Sequence, residues 1–139
     1  MVPSRPLTFG SWKSQGMPFY GQSVKYSKTI KVDKAQKFEI ELPSWSGTVA
    51  AVNINGKEVG IIQVQPYVLQ VGLAPGENII DVVVIGSLKN TLGPHHGDLR
   101  KGVVRPYVFQ NAPAIQPAGN TYQMIDYGLM EDFRVYALD

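Results

Sequence analysis

The sequence predicts an all-β domain, a sandwich of about eight short antiparallel strands. Three observations carry that prediction. Several segments alternate apolar and polar residues with a period of two. Turn formers punctuate the whole chain, with 14 Gly and 10 Pro among 139 residues, a share above the usual for both. No window long enough for an amphipathic helix shows a helical period.

The elements follow in order. In "VKYSKTIKV" (24–32), Val24, Tyr26, Ile30 and Val32 share one face, and Lys25, Ser27, Thr29 and Lys31 share the other. This is a strand with one wet side. "KFEIEL" repeats the pattern with Phe38, Ile40 and Leu42 inward, and Pro43 ends the run. "VAAVNINGKEVGIIQV" places Asn55-Gly56 between two β-patterned runs; both residues accept positive φ, which a type I′ hairpin turn requires. "PYVLQV" reads as a short strand opened by Pro66, and "GLAPGEN" as a turn cluster. "IIDVVVIG" is continuously apolar except for Asp81, the pattern of a central strand covered on both faces. Asp81, a carboxylate in such a strand, needs a hydrogen-bonding or basic partner and is expected to be an anchor.

After Gly86 the pattern breaks. Gly, Pro and Asn are frequent over residues 86–121, where only "VVRPYVF" (103–109) resembles a strand. A loop region of that length in a compact domain usually carries function. "TYQMIDYGL" and "DFRVYAL" are the expected closing strands, the second with Phe133, Val135 and Ala137 facing one way and Arg134, Tyr136 and Leu138 the other.

Composition narrows the chemistry. Cysteine is absent, so no disulfide, zinc-thiolate cluster or thiol nucleophile is available. The net charge is only +2 and the lysines are scattered, which argues against nucleic acid as a partner. No apolar run approaches the roughly 20 residues that span a bilayer, so no membrane partner is expected. The start "MVPSRPLTFG" lacks the apolar stretch of a signal peptide. The whole chain, 1–139, reads as one module.

The motif series carries a resemblance. "WKSQGMPFYGQSVKYSKTI", "VNINGKEVG", "QPYVLQVGLAPGENIIDVVVIGSLKNTLGPHH" and "YGLMEDFRVYAL", in that order, resemble the galactose-binding-like jelly-roll modules attached to glycoside hydrolases. These modules occur in family-two and rhamnosidase-like enzymes, and the similarity runs from about Trp12 to Leu138. The resemblance implies a jelly-roll sandwich, excised from a larger polysaccharide-degrading enzyme that is secreted or periplasmic. The catalytic carboxylates would then belong to another domain, and this chain would not be an enzyme. Its partners would be an oligo- or polysaccharide and the catalytic domain of the parent enzyme. Modules of this kind either bind sugar or only brace their neighbour, and the resemblance leaves both open.

Candidate site residues fall in two groups. Sugar recognition needs an aromatic face against the apolar side of a pyranose with a few fixed polar groups around it. The aromatic candidates outside the alternating core pattern are Trp12, Tyr20, Trp45, Tyr67 and Tyr107. Trp45, in the turn "PSWSG", either caps the core or stands free; Trp12 either covers an open end of the sandwich or meets ligand. The loop from Asn90 to Arg105 supplies Asn90, His95, His96, Asp98, Arg100, Lys101 and Arg105. Adjacent histidines on an extended segment point to opposite sides and cannot easily converge on one ion without a bend, and no further His or Cys exists to complete a zinc set. One imidazole is expected to hydrogen-bond the loop backbone and hold "NTLGPHHG" in shape, the other to face a groove and offer polar contacts to sugar hydroxyls or a neighbouring domain. No cofactor is expected. Loops in sandwiches of this class can hold a structural calcium, but nothing here resembles a calcium loop.

Overall fold

A computed structural model of the protein describes residues 6–93, 95, 96, 115, 120 and 122–139. The described chain is antiparallel β throughout, apart from one 3-10 turn (Lys13–Gln15) and one helical turn, α1 (Lys89–Leu92). Nine strands lie among the described residues: β1 (Ser23–Val32), β2 (Gln36–Glu41), β3 (Trp45–Ser46), β4 (Val49–Ile54), β5 (Lys57–Ile62), β6 (Val68–Leu73), β7 (Gly76–Ile85), β8 (Gly128–Leu129) and β9 (Arg134–Ala137). A four-stranded sheet has the order β1-β7-β4-β5, and a three-stranded sheet the order β6-β2-β9. β3 and β8 pair as a small ribbon.

The two larger sheets share one core. Val52, Val82, Val84 and Ile80 from the first meet Ile40, Val71 and Leu73 from the second, all buried. Alternation explains the arrangement: β1 buries Tyr26 and Val32 and exposes Lys25, Ser27, Thr29 and Lys31, as its sequence pattern requires. β7 is central, as its apolar run predicts, but only its inner face is fully covered. On its outer face Ile79 and Ile85 are exposed, and so are Val59 and Ile61 of β5, with β4 lying between the two strands. Asp81 shares that outer face, is nevertheless buried, accepts a hydrogen bond from Ser27 Oγ and lies 3.7 Å from Lys25 Nζ. It is the structural anchor its position predicts.

The Asn55-Gly56 turn has φ of 52° and 81°, the primed geometry the sequence predicts for this hairpin. Asn55 does more than turn the chain. Its Oδ1 accepts from Ile79 N at 2.8 Å, and its Nδ2 donates to Asn78 Oδ1 at 3.2 Å, tying the hairpin to the central strand. Asn55→Ala is expected to lose about 2 kcal/mol, from left-handed strain and the missing bonds together. Asn55→Gly relieves the strain and is expected to lose about half of that. Urea denaturation of the two variants measures the difference.

One expectation differs from the structure. The closing segment "TYQMIDYGL" forms ladder pairs only at Gly128–Leu129; within residues 122–127, Ile125 is held instead by the side chain of Asn90 in the segment after β7. "VVRPYVF" lies outside the described residues.

The ends of the sandwich are unequal. At one end β1–β2, β4–β5 and β6–β7 are joined by tight turns at 33–35, 55–56 and 74–75. The other end gathers the longer connections, 42–48, 63–67 and the segment following Ile85, together with the irregular segment that leads into β1. Long connections on a rigid frame are where binding residues concentrate.

Candidate functional site

The long-loop end is built around the segment that leaves β7. Gly86 N donates to Gln22 O at 2.7 Å, drawing the exit of β7 against the entry to β1. The approach is close: a Cβ on Gly21 would stand 2.5 Å from the Ser87 carbonyl oxygen, so glycine is required there. Ser87 Oγ bonds the Tyr127 hydroxyl and accepts from Lys89 N, which starts α1. Gly93, with φ of 81°, stops it, its N–H donating to Lys89 O.

Asn90, at 3% exposure, is the lock of this end. Its Nδ2 donates to Ile125 O at 2.7 Å and its Oδ1 accepts from Ile125 N at 2.9 Å. The side chain therefore acts as one rung of a ladder for a segment that has no strand partner there. Thr91 Oγ1 donates to Phe19 O, which fastens a third segment to the same turn.

Four rings meet beside this lock. His95 lies 4.9 Å from Tyr122 and 5.7 Å from Phe19, Phe19 lies 6.1 Å from Tyr122, and His96 lies 5.5 Å from Tyr122, centroid to centroid. Phe19 and Tyr122 keep 44% and 46% of their surface exposed. Leu88 and Leu92 are also exposed on this turn. The expectation that adjacent histidines diverge does not hold, because residues 95 and 96 form a bend and not an extended run, and both imidazoles reach one tyrosine. His95 Nε2 lies 3.0 Å from the Asn90 carbonyl; a carbonyl only accepts, so Nε2 carries the proton, and Nδ1 has no hydrogen-bond partner among the described residues. Gln123 N donates to His95 O at 2.7 Å and holds the bend. Among the described residues, the His96 ring has no hydrogen-bond partner.

The other predicted site residues separate clearly. Trp12 is 1% exposed and belongs to the core, so it cannot stack a ligand. Its Nε1 donates to Tyr26 Oη at 2.9 Å, and a Cβ on Gly128 would stand 2.7 Å from that nitrogen. Tyr20 packs edge-on against Trp12 and donates its hydroxyl to Ser23 O, a structural role. Trp45 is partly buried as a cap on the core, with its ring at 87° to Tyr67. Asn90 is spent on Ile125, as above. His95 and His96 are at the site. Asp98, Arg100, Lys101, Arg105 and Tyr107 lie outside the described residues.

Phe19 and Tyr122 are the residues the sequence reading missed as site candidates. Phe19 stands in "GMPFYG", beside the residues that were considered, and Tyr122 in a segment expected to be a strand. Neither segment has a regular period, so alternation carries no information about which ring faces out.

Among the described residues no group of three His, Asp or Glu side chains gathers where one metal ion would fit. No helix among them is long and apolar enough to cross a membrane. The chain matches no protein-family model, and no curated protein is similar to it.

Proposed function

We propose that the protein is a non-catalytic carbohydrate-binding module that takes a sugar on the Phe19–Tyr122 face, flanked by His95 and His96. The observation that carries this reading is the ring cluster itself: two half-exposed aromatic rings held by a hydrogen-bonded loop at the long-loop end of a rigid sandwich. An aromatic face of this kind suits the C–H side of a pyranose. Imidazole nitrogens beside it can donate to or accept from sugar hydroxyls, so orientation would be set by His95 Nδ1 and His96. The carbohydrate-active parent enzyme implied by the motif series is part of the same proposal.

Calorimetric titration with plant and bacterial polysaccharides tests it. Phe19→Ala and Tyr122→Ala are each expected to weaken binding about tenfold, the equivalent of about 1.4 kcal/mol of lost stacking. Their melting temperatures should change little, since exposed side chains contribute within about 0.5 kcal/mol. Absence of binding to every polysaccharide would sink the proposal.

A second reading has its own observation. Exposed Val59, Ile61, Ile79 and Ile85 place apolar surface on the outer side of the four-stranded sheet. In that reading the module docks by this face on a catalytic domain of the parent enzyme and binds no sugar itself. Its mark would be blank titrations together with self-association of the isolated domain, read by sedimentation.

A further inference from the structure

A concavity opens at the same end of the sandwich, on the three-stranded sheet. It holds about 350 Å³ between the end of β2 and the start of β6, with walls from Glu41, Pro43, Gln65, Pro66 and Tyr67. That volume lies at the low end of the range for small-molecule sites, about 300–1,000 Å³. The walls are tied together, because Leu42 N donates to Tyr67 O at 2.9 Å. Tyr67 is braced from behind by the edge of Trp45, with ring centroids 5.5 Å apart.

Glu41 supplies the polar direction. Its Oε2 accepts from the Tyr136 hydroxyl at 3.0 Å and lies 3.8 Å from Arg134 NH1. One carboxylate oxygen is thereby held, while Oε1 has no partner among the described residues. Arg134 already answers much of the negative charge, so an occupant needs no positive charge of its own. It must instead present O–H donors to Oε1 and an edge that the Gln65 amide can both donate to and accept from. Its other side must be C–H surface, to lie against Tyr67 and the two prolines. A neutral pyranose meets all three conditions.

We infer that this cleft is a second saccharide subsite for one neutral pyranose residue, with Glu41 as its hydroxyl acceptor. The inference rests on the carbohydrate-binding reading above, and it extends the binding surface from the Phe19–Tyr122 face to the opposite side of the same end. Two subsites at one end suit a polysaccharide chain, which reaches both, better than a free monosaccharide.

Amide-resolved NMR titration of the full chain distinguishes the outcomes. The probes are the methyl glycosides of glucose, galactose, mannose and xylose, with methylammonium as the cation control. At least one glycoside is expected to move the amides of Gln65, Tyr67 and Val68 in a saturable way. Glu41→Ala should weaken that response about tenfold, the loss of one charge-assisted hydrogen bond. Gln65→Ala, on an exposed loop, should weaken it too and guards against a folding defect in the first variant. Phe19→Ala and Tyr122→Ala should leave it unchanged. Shifts confined to the Phe19–Tyr122 face would overturn the subsite and leave the carbohydrate reading standing. Shifts nowhere would overturn the subsite, and the carbohydrate reading falls with it only where the polysaccharide titrations are blank as well. A cleft that answers methylammonium but no glycoside, or a sugar response that Glu41→Ala and Gln65→Ala leave intact, would also overturn the subsite.

Discussion

Replacing Trp12 by alanine is expected to lower the unfolding free energy by about 3–5 kcal/mol. The indole is fully buried where the two sheets meet the long-loop end, and it touches Tyr20 and Tyr127 at centroid distances of 5.6 and 6.0 Å. The space it leaves cannot easily close, because its neighbours include backbone. A Cβ on Gly86 would lie 3.1 Å from the six-membered ring, and Gly128 packs against the indole nitrogen. Loss of the indole N–H also removes one of the two donors to the Tyr26 hydroxyl, the other being Leu129 N at 3.3 Å. Each kcal/mol moves the midpoint of a domain of this size by about 2–6 °C, so a fall of at least about 6 °C is expected by circular dichroism. Trp12→Phe keeps most of the packing and should recover more than half of the loss. Wild-type melting in Trp12→Ala, combined with loss of saccharide binding, would reverse the assignment and make Trp12 a ligand contact.

How much of this was legible in the sequence depends on whether a segment has a period. Where it has one, the reading follows from pleat geometry alone: the faces of β1 and β2, the turn at Asn55-Gly56 and the anchoring of Asp81 all follow from alternation and from the φ that each residue tolerates. Trp12, Tyr20, Phe19 and Tyr122 lie in irregular segments, and their burial is decided by partners remote in sequence. Trp12 N donates to Tyr127 O, and Thr91 Oγ1 to Phe19 O, contacts that no local pattern encodes. The histidine pair shows the same limit on a smaller scale. Divergence of adjacent side chains holds only for extended backbone, and the Gln123 N to His95 O bond holds a bend instead. The loop after β7 brings His95 and His96 beside Phe19 and Tyr122, and those two aromatics come from two other segments.

Asn90→Ala is expected to cost about 2–5 kcal/mol and to disable the Phe19–Tyr122 face at temperatures where the sandwich remains folded. The reason is the two-way bond to Ile125. Removing the amide leaves a buried N–H and a buried C=O on the same residue without partners, each worth about 1–3 kcal/mol. Asn90→Asp should be no better, since a carboxylate accepts from Ile125 N but repels Ile125 O, in a place where water cannot relieve the conflict. The damage should be local before it is global. Residues 122–127 have no ladder of their own, so freeing Ile125 releases Tyr122, and loss of the turn at Asn90 releases the carbonyl that orients His95. Hydrogen exchange should therefore quicken at Ile125 and Gln123 by about a hundredfold or more, while the amides of β4 and β7 change by less. Saccharide binding should fall with the loop and not with the core. The contrast with Tyr122→Ala separates the two roles: that variant loses binding with its stability intact, whereas Asn90→Ala loses both, in proportion to the exchange at Ile125. If Asn90→Ala kept its stability and its protection at Ile125 yet lost the sugar, Asn90 would itself be a ligand contact and the lock would be refuted.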